Sequence, residues 1–177
     1  MSSAKIVLEV AGTALHKVKL IRPPTNFEDF RGSYVELYNR SLYREAGIAC
    51  DFIQDDISTS SRHVLRGIHG DAKTWKLVSC LHGNFYLVVL DLDEDSPTCG
   101  KWTSFTLSDR NRLQVLIPPK HGNGHLVMSE TAIFHYKQTT DYDRASQFTV
   151  LWDDPRYQIF WPATNPILSP RDRGTTP

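Results

Sequence analysis

Cysteine is scarce in this chain: Cys50, Cys80 and Cys99 are the three in 177 residues, and no two stand in a CxxC pair. Their odd number and scattered spacing offer neither a disulfide framework nor a zinc or redox motif, so reduced, structural thiols are expected. An excess of charge of one sign is also missing, because 20 Lys plus Arg balance 20 Asp plus Glu to a formal net charge of zero. That balance argues against broad electrostatic binding to nucleic acid or to an anionic membrane, and it leaves room for a local basic pocket. No apolar run approaches transmembrane length, and Met1-Ser2-Ser3-Ala4-Lys5 does not lead into a signal-type segment. A soluble, cytoplasmic protein is expected. With no internal repeat and no break long enough for a linker, residues 1–177 read as one domain, with a core over about 6–162 and a loose tail at 173–177.

Helix has few places to go. Ser41 to Ala46 is the best short one, with Gly47 where a C-terminal cap belongs. What is abundant is short runs of β-branched and aromatic residues between turn signals, the pattern of an all-β sandwich or barrel. The runs are Ile6–Val10, Val18–Ile21, Gly32–Tyr38, Phe52–Ser58, Thr74–Leu81, Gly83–Asp91, Lys101–Leu107, Gln114–Ile117, Gly124–Met128, Ala132–Gln138 and Phe148–Leu151. Breaks are expected at Arg22–Asn26, Asp93–Gly100, Pro118–Asn123 and Asp153–Pro155.

The chemistry-bearing stretch is Val64-Leu65-Arg66-Gly67-Ile68-His69 followed by Lys76-Leu77-Val78, which puts a potential base and a fixed cation on neighbouring strands. Carbanion chemistry beside a carbonyl needs a base for the C–H proton and a donor already in place for the charge that develops on oxygen. The same spacing also fits an ordinary strand pair with a half-buried His and a Lys that snorkels to solvent. In Ile133-Phe134-His135-Tyr136-Lys137, alternation puts Tyr136 on the face of Phe134 and turns His135 and Lys137 the other way. If Phe134 points inward, the Tyr136 hydroxyl reaches the interior, where it either packs with a hydrogen-bond partner or donates a proton.

From Phe27 to Asp172 the chain resembles the dTDP-4-dehydrorhamnose 3,5-epimerases of the cupin superfamily. The resemblance rests on an ordered series: Asp29-Phe30-Arg31-Gly32 with Tyr34 and Glu36, Gln54-Asp55-Asp56, Leu65-Arg66-Gly67-Ile68-His69, Lys76-Leu77-Val78, and Ser96-Pro97-Thr98 with Gly100 and Trp102. It continues through Ile117-Pro118, Tyr136-Lys137, Tyr142, Leu151-Trp152-Asp153-Asp154-Pro155, Ile159 with Trp161-Pro162, and Leu168-Ser169-Pro170-Arg171-Asp172. It implies a cupin-type jelly roll with a few short helices and a homodimer paired through amino-terminal strands. It also implies a cofactor- and metal-free epimerase acting on a nucleotide-diphosphate-linked 4-keto sugar, in the making of modified sugars.

On the family pattern His69 is the base, Asp172 the carboxylate that orients it, Lys76 the cation at the C4 oxygen and Tyr136 the acid on the opposite face. Arg31, Tyr34, Glu36, Gln54, Asp56, Arg66, Asn123 and Tyr142 match positions that bind substrate or nucleotide, with Tyr34 to Glu36 reaching the partner's site. Arg66 has an independent physical case, since a guanidinium grips phosphate oxygens bidentately. Strict alternation separates Arg66 from His69, so both serve one site only if Gly67 permits a bulge.

The chain also departs from the pattern. Gly122-Asn123-Gly124-His125 stands where the family usually has Ala-His-Gly-Phe, so an amide that cannot titrate replaces an active-site His. Leu87 stands where many relatives have Asp, and Asp56 stands in a Gln-Asp-Asn slot. With His69-Gly70-Asp71 and Thr74-Trp75-Lys76, these features look like the branch working on GDP-linked 4-keto heptoses. GDP is therefore expected before dTDP or CDP, a heptose before a 6-deoxyhexose, with inversion at C3, C5 or both. Two other readings stay open: a catalytically silent sugar-nucleotide-binding cupin, and a metal-dependent cupin using His69, His82, His121 and His125. The second lacks the paired His of a metal cupin, since Ile68-His69-Gly70-Asp71 has only one.

Overall fold

The computed structural model describes residues 8–175. Its elements are β1 (Glu9–Gly12), β2 (Lys19–Arg22), β3 (Thr25–Asp29), β4 (Gly32–Val35), α1 (Arg40–Glu45), β5 (Gln54–Ser61), β6 (Leu65–Gly70), β7 (Lys76–His82), β8 (Asn84–Asp91), β9 (Trp102–Ser108), β10 (Gln114–Ile117), β11 (His121–Val127), β12 (Thr131–Gln138), a short 3-10 turn (Arg144–Ser146) and β13 (Phe148–Thr149). One sheet runs β1-β2-β10-β7-β12-β5 and a second β13-β6-β11-β8-β9, while β3 and β4 form a separate hairpin. The fold is an all-β jelly roll, as the strand pattern and the resemblance predict.

Hydrophobic patterning explains the layering. Along β8, Leu87 and Val89 face the gap between the sheets and pack with Val78, Cys80 and Phe134 of the other sheet. Val88 and Leu90 point the opposite way and are just as buried, because Val150 and Trp161 of the carboxyl-terminal segment cover that outer face. A strand covered on both sides reads as a continuous apolar run, which β8 is. The outer face of the six-stranded sheet, at Ile21, Leu77 and Leu116, is covered by Tyr43 and Ile48 at α1. That helix begins where Asn39 accepts from the Ser41 and Leu42 amides, and it starts one residue before the expected position.

Several expectations need correction. Residues 22–26 were expected to be a break, yet Thr25 opens β3. β11 starts at His121, inside the break expected at Pro118–Asn123, because this segment pairs with β8 from His121 opposite Asp91 onward. Gly122 signals crowding there rather than a turn, since a Cβ would come 2.4 Å from Ile68 Cγ2. β13 ends at Thr149 instead of Leu151, and β4 at Val35 instead of Tyr38. β6 and β7 follow each other in sequence but belong to different sheets, so His69 and Lys76 are not on neighbouring strands. Cys80 is buried, and that burial pushes its thiol up to about 12. Cys99, in contrast, is an exposed free thiol in a turn and not a packing residue. The amides of Arg173, Gly174 and Thr175 donate back to Ser169, Arg171 and Pro170. Ile6 and Val7 of the first expected strand, and Thr176 and Pro177 of the tail, lie outside the described residues. Among the described residues no helix is long and apolar enough to cross a membrane.

Candidate active site

A cavity of about 560 Å³ opens between the two sheets, within the range of small-molecule sites. One wall comes from β6 and β11. The pairing of these strands shifts register between Asn123 and His125, and Gly67 opposite the shift has φ +117. A Cβ on Gly67 would sit 2.5 Å from Gly124 Cα and 2.6 Å from the Asn123 carbonyl oxygen, so only glycine fits. The bulge re-aims the strand, and Arg66 and His69 both line the cavity.

His69 is held by a carboxylate that arrives from the far end of the chain. Its Nε2 lies 2.7 Å from Asp172 Oδ1, a close contact that becomes an ion pair once the imidazole takes up a proton. The oxygen lies off the direction an aligned N–H bond would take. Asp172 is itself fixed: Ser169 Oγ donates to Oδ2 at 2.7 Å and the Gly67 amide donates to Oδ1 at 3.3 Å. Burial alone would raise its pKa, but the close His69 contact, the Ser169 hydroxyl and the Gly67 amide outweigh it, and the carboxyl is held below the usual carboxylate range. A carboxylate that stays ionised can orient an imidazole and stabilise its protonated form.

The opposite wall comes from β5, β7 and β12. Lys76 is 8% exposed, and among the described residues its ammonium has no hydrogen-bond partner. Burial is the main cause that lowers its pKa; Asp71 works against this and Arg171 adds to it. A desolvated, unpaired cation of this kind is preorganised for negative charge that forms on a ligand. Tyr136 lies on the inward face with Phe134, as alternation predicts, while His135 and Lys137 turn outward to Asp55. Burial first, then the Asp56 carboxylate, pushes the Tyr136 phenol up from 10.0, so it stays protonated and available as a donor. His69 and Asp172 thus face Lys76 and Tyr136 across a single cavity.

The expected binding residues divide. Asp56, Arg66, Asn123 and Tyr142 line the cavity. Gln54 is not in its wall but braces it, donating to Asp56 at 2.8 Å and accepting from the Tyr142 amide at 2.9 Å. Arg31, Tyr34 and Glu36 are not brought to the cavity of their own chain: they lie on or just after the β3–β4 hairpin, where Arg31 is paired with Asp29 and Glu36 accepts from Asn39. Sequence reasoning missed Arg144 and Arg171, which join Arg66 and Lys76 in giving a neutral chain a basic pocket. Arg171 lay in the Ser-Pro-Arg-Asp landmark and was open to notice; Arg144 opens the short 3-10 turn, which no pattern in the sequence announced. It also missed His125 as a wall residue, having weighed it only as a metal ligand. Of the four imidazoles considered for a metal, His69 and His125 share the cavity, whereas His82 stands at Asp109 and His121 on Asp91, and among the described residues no cluster of three potential ligands exists.

Residues 12–177 match the family model of dTDP-4-dehydrorhamnose 3,5-epimerase. The chain belongs to this family. The dTDP-4-dehydrorhamnose 3,5-epimerase of Escherichia coli K12 is 40% identical over 158 residues, covering 86% of this chain and 85% of that protein. Among solved structures, the dTDP-6-deoxy-D-glucose-3,5-epimerase of Legionella pneumophila, in complex with dTDP-4-keto-L-rhamnose, superposes with a TM-score of 0.89 at 36% identity, over 94% of this chain and 90% of that one. The Bacillus anthracis enzyme with TDP and pyrophosphate bound gives 0.90 at 34% identity, over 94% and 97%. Membership makes the chain an isomerase of the epimerase type. Within the family pattern, Leu87 is packed in the inter-sheet core and Asp56 lies against the Tyr136 phenol.

Proposed function

We propose that the protein epimerises a nucleotide-diphosphate-linked 4-keto sugar at the carbons flanking its ketone. The ketone acidifies the adjacent C–H, and His69 takes that proton on the ring nitrogen turned away from Asp172, whose carboxylate balances the imidazolium. The C–H electron pair passes into an enolate whose oxygen meets the Lys76 ammonium. Tyr136 then donates its hydroxyl proton to the opposite face of the planar carbon, which inverts the centre; His69 releases its extra proton to solvent and the Tyr136 phenolate takes one back. The observation that carries this reading is the placement of base and phenol on opposite walls of one cavity, with a buried cation on the phenol's side. A base alone returns the proton it took.

Arg66, Arg144 and Arg171 suit the diphosphate. Asn123 and Asp56, which depart from the family pattern, favour an atypical sugar: a GDP-linked 4-keto heptose before a dTDP- or CDP-linked 6-deoxyhexose. The exposed β3–β4 hairpin, with Arg31, Tyr34 and Glu36 off their own cavity, favours a homodimer in which it reaches the partner's site. The test is solvent-deuterium incorporation into GDP-, dTDP- and CDP-linked 4-keto sugars, with His69→Asn as control. Label at C3, C5 or both identifies the carbons attacked, and His69→Asn should keep binding while losing exchange by about 10²- to 10⁴-fold. Absence of exchange with every sugar, despite binding, would instead make the protein a silent binding module.

A further inference from the structure

Asn123 and His125 project from β11 into the cavity, two residues apart and so on the same side of the strand. Neither side chain has a hydrogen bond among the described residues, and the Asn123 amide oxygen is fully buried without a partner. His125 is 4% exposed and is clamped flat on Phe134, ring centroids 4.1 Å apart and planes 9° apart, with Phe85 at 5.3 Å on a tilted approach. The rings fix the imidazole in place without satisfying its nitrogens. Burial, assisted by the Arg66 charge, pulls its pKa down to about 3. At neutral pH it therefore offers one N–H donor and one bare nitrogen acceptor, and the Asn123 amide offers both as well. Neutral, two-way groups of this kind match hydroxyls, which both donate and accept, better than phosphates or carboxylates, which only accept. Their position is also telling: in the strand register Asn123 is opposite His69, and His125 is opposite Arg66. The pair thus lies on the strand alongside the base.

Resting on the epimerase reading, we infer that Asn123 and His125 form a hydroxyl-recognising subsite, and that the substrate is a 4-keto sugar presenting a hydroxyl there which selects it over the corresponding deoxy sugar. A site with buried, unpaired hydrogen-bonding groups rejects the analogue that leaves them unpaired, and that penalty gives it discrimination.

The experiment pairs enzyme variants with substrates. For the parent, His125→Phe and His125→Gln, kcat/KM for deuterium exchange is measured on a hydroxylated 4-keto sugar nucleotide and on its monodeoxy analogues at C2 and at the exocyclic carbon. Thermal unfolding of each variant checks folding. His125→Phe keeps the stacking and removes both hydrogen-bonding positions. It is expected to lower the hydroxylated-to-deoxy ratio about 10- to 100-fold for one analogue, and His125→Gln should restore part of it. Asn123→Ala, whose smaller side chain does not disturb the stack, should lower the same ratio. An equal loss on all substrates, or a ratio unchanged in both folded variants, overturns the inference while leaving the epimerase reading intact. Failure of the parent to exchange any 4-keto sugar overturns that reading, and this inference with it.

Discussion

At the scale of single residues, the cavity separates roles by environment. If Tyr136 is the acid, Tyr136→Phe should lose inversion by about 10²-fold or more, while exchange with retention at the same carbon persists, because His69 still removes and returns the proton. Product stereochemistry by NMR beside deuterium content checks this; equal loss of both would remove Tyr136 from the acid role. His125 gives a stability prediction with a definite sign. Its folded pKa, about 3, lies below the ordinary 6.5, so between those values the unfolded chain binds a proton the folded chain refuses. The stability it contributes is complete above about pH 6.5 and is lost as pH falls toward about 3, at up to about 1.4 kcal/mol per pH unit. His135, also lowered first by burial, acts in the same direction below about pH 6.5. Unfolding of His125→Phe from pH 7 to 5 should show a flatter decline than the parent, and identical slopes would argue against a neutral, buried His125.

At the scale of elements, the β6–β11 bulge has a part in both stability and catalysis. Gly67→Ala places a Cβ into the backbone of Gly124 at a positive φ. The expected cost is about 1–3 kcal/mol, a drop of roughly 5 °C in Tm, and activity should fall further than the remaining folded fraction explains, because Arg66 and His69 lose their common aim. A variant as stable and active as the parent would mean the bulge is not what unites them. α1 shows how far local signals reach. Ser41–Ala46 and the cap at Gly47 are legible as a helix from propensity and capping alone, while the Asn39 cap emerged from the structure. β3 and the start of β11 were not legible, because the stretches Arg22–Asn26 and Pro118–Asn123 read locally as turns; the β3–β4 hairpin extends the first, and pairing with distant β8 extends the second.

At the scale of the whole molecule, net neutrality conceals an uneven charge distribution, with Arg66, Lys76, Arg144 and Arg171 gathered at one cavity. Binding of a diphosphate-linked sugar should therefore weaken with added salt even though the chain carries no net charge. The hairpin poses the question of assembly. Phe30 is 98% exposed and Tyr34 66%, more aromatic surface than a free hairpin needs. In sedimentation the protein is expected to be a dimer. Phe30→Asp should shift it toward monomer and weaken nucleotide-sugar binding without altering the fold of the protomer, whereas a parent that sediments as a monomer would overturn the proposed assembly.

Strand alternation and residue chemistry, local properties that survive in one dimension, were enough for the all-β class and for His69, Lys76 and Tyr136 as candidates; the order of motifs carried the family, and only the resemblance to it nominated Asp172 and the four roles. What one dimension could not carry was distance. The partner of His69 comes from the opposite end of the chain, Lys76 stands on the other sheet, and Arg144 and His125 join the wall only because loops and a bulge fold against it. Burial of Lys76 and His125, and with it the lowering of their pKa values, depends on which strands stack above them. That is decided by packing between residues far apart in sequence, and so only by the tertiary structure.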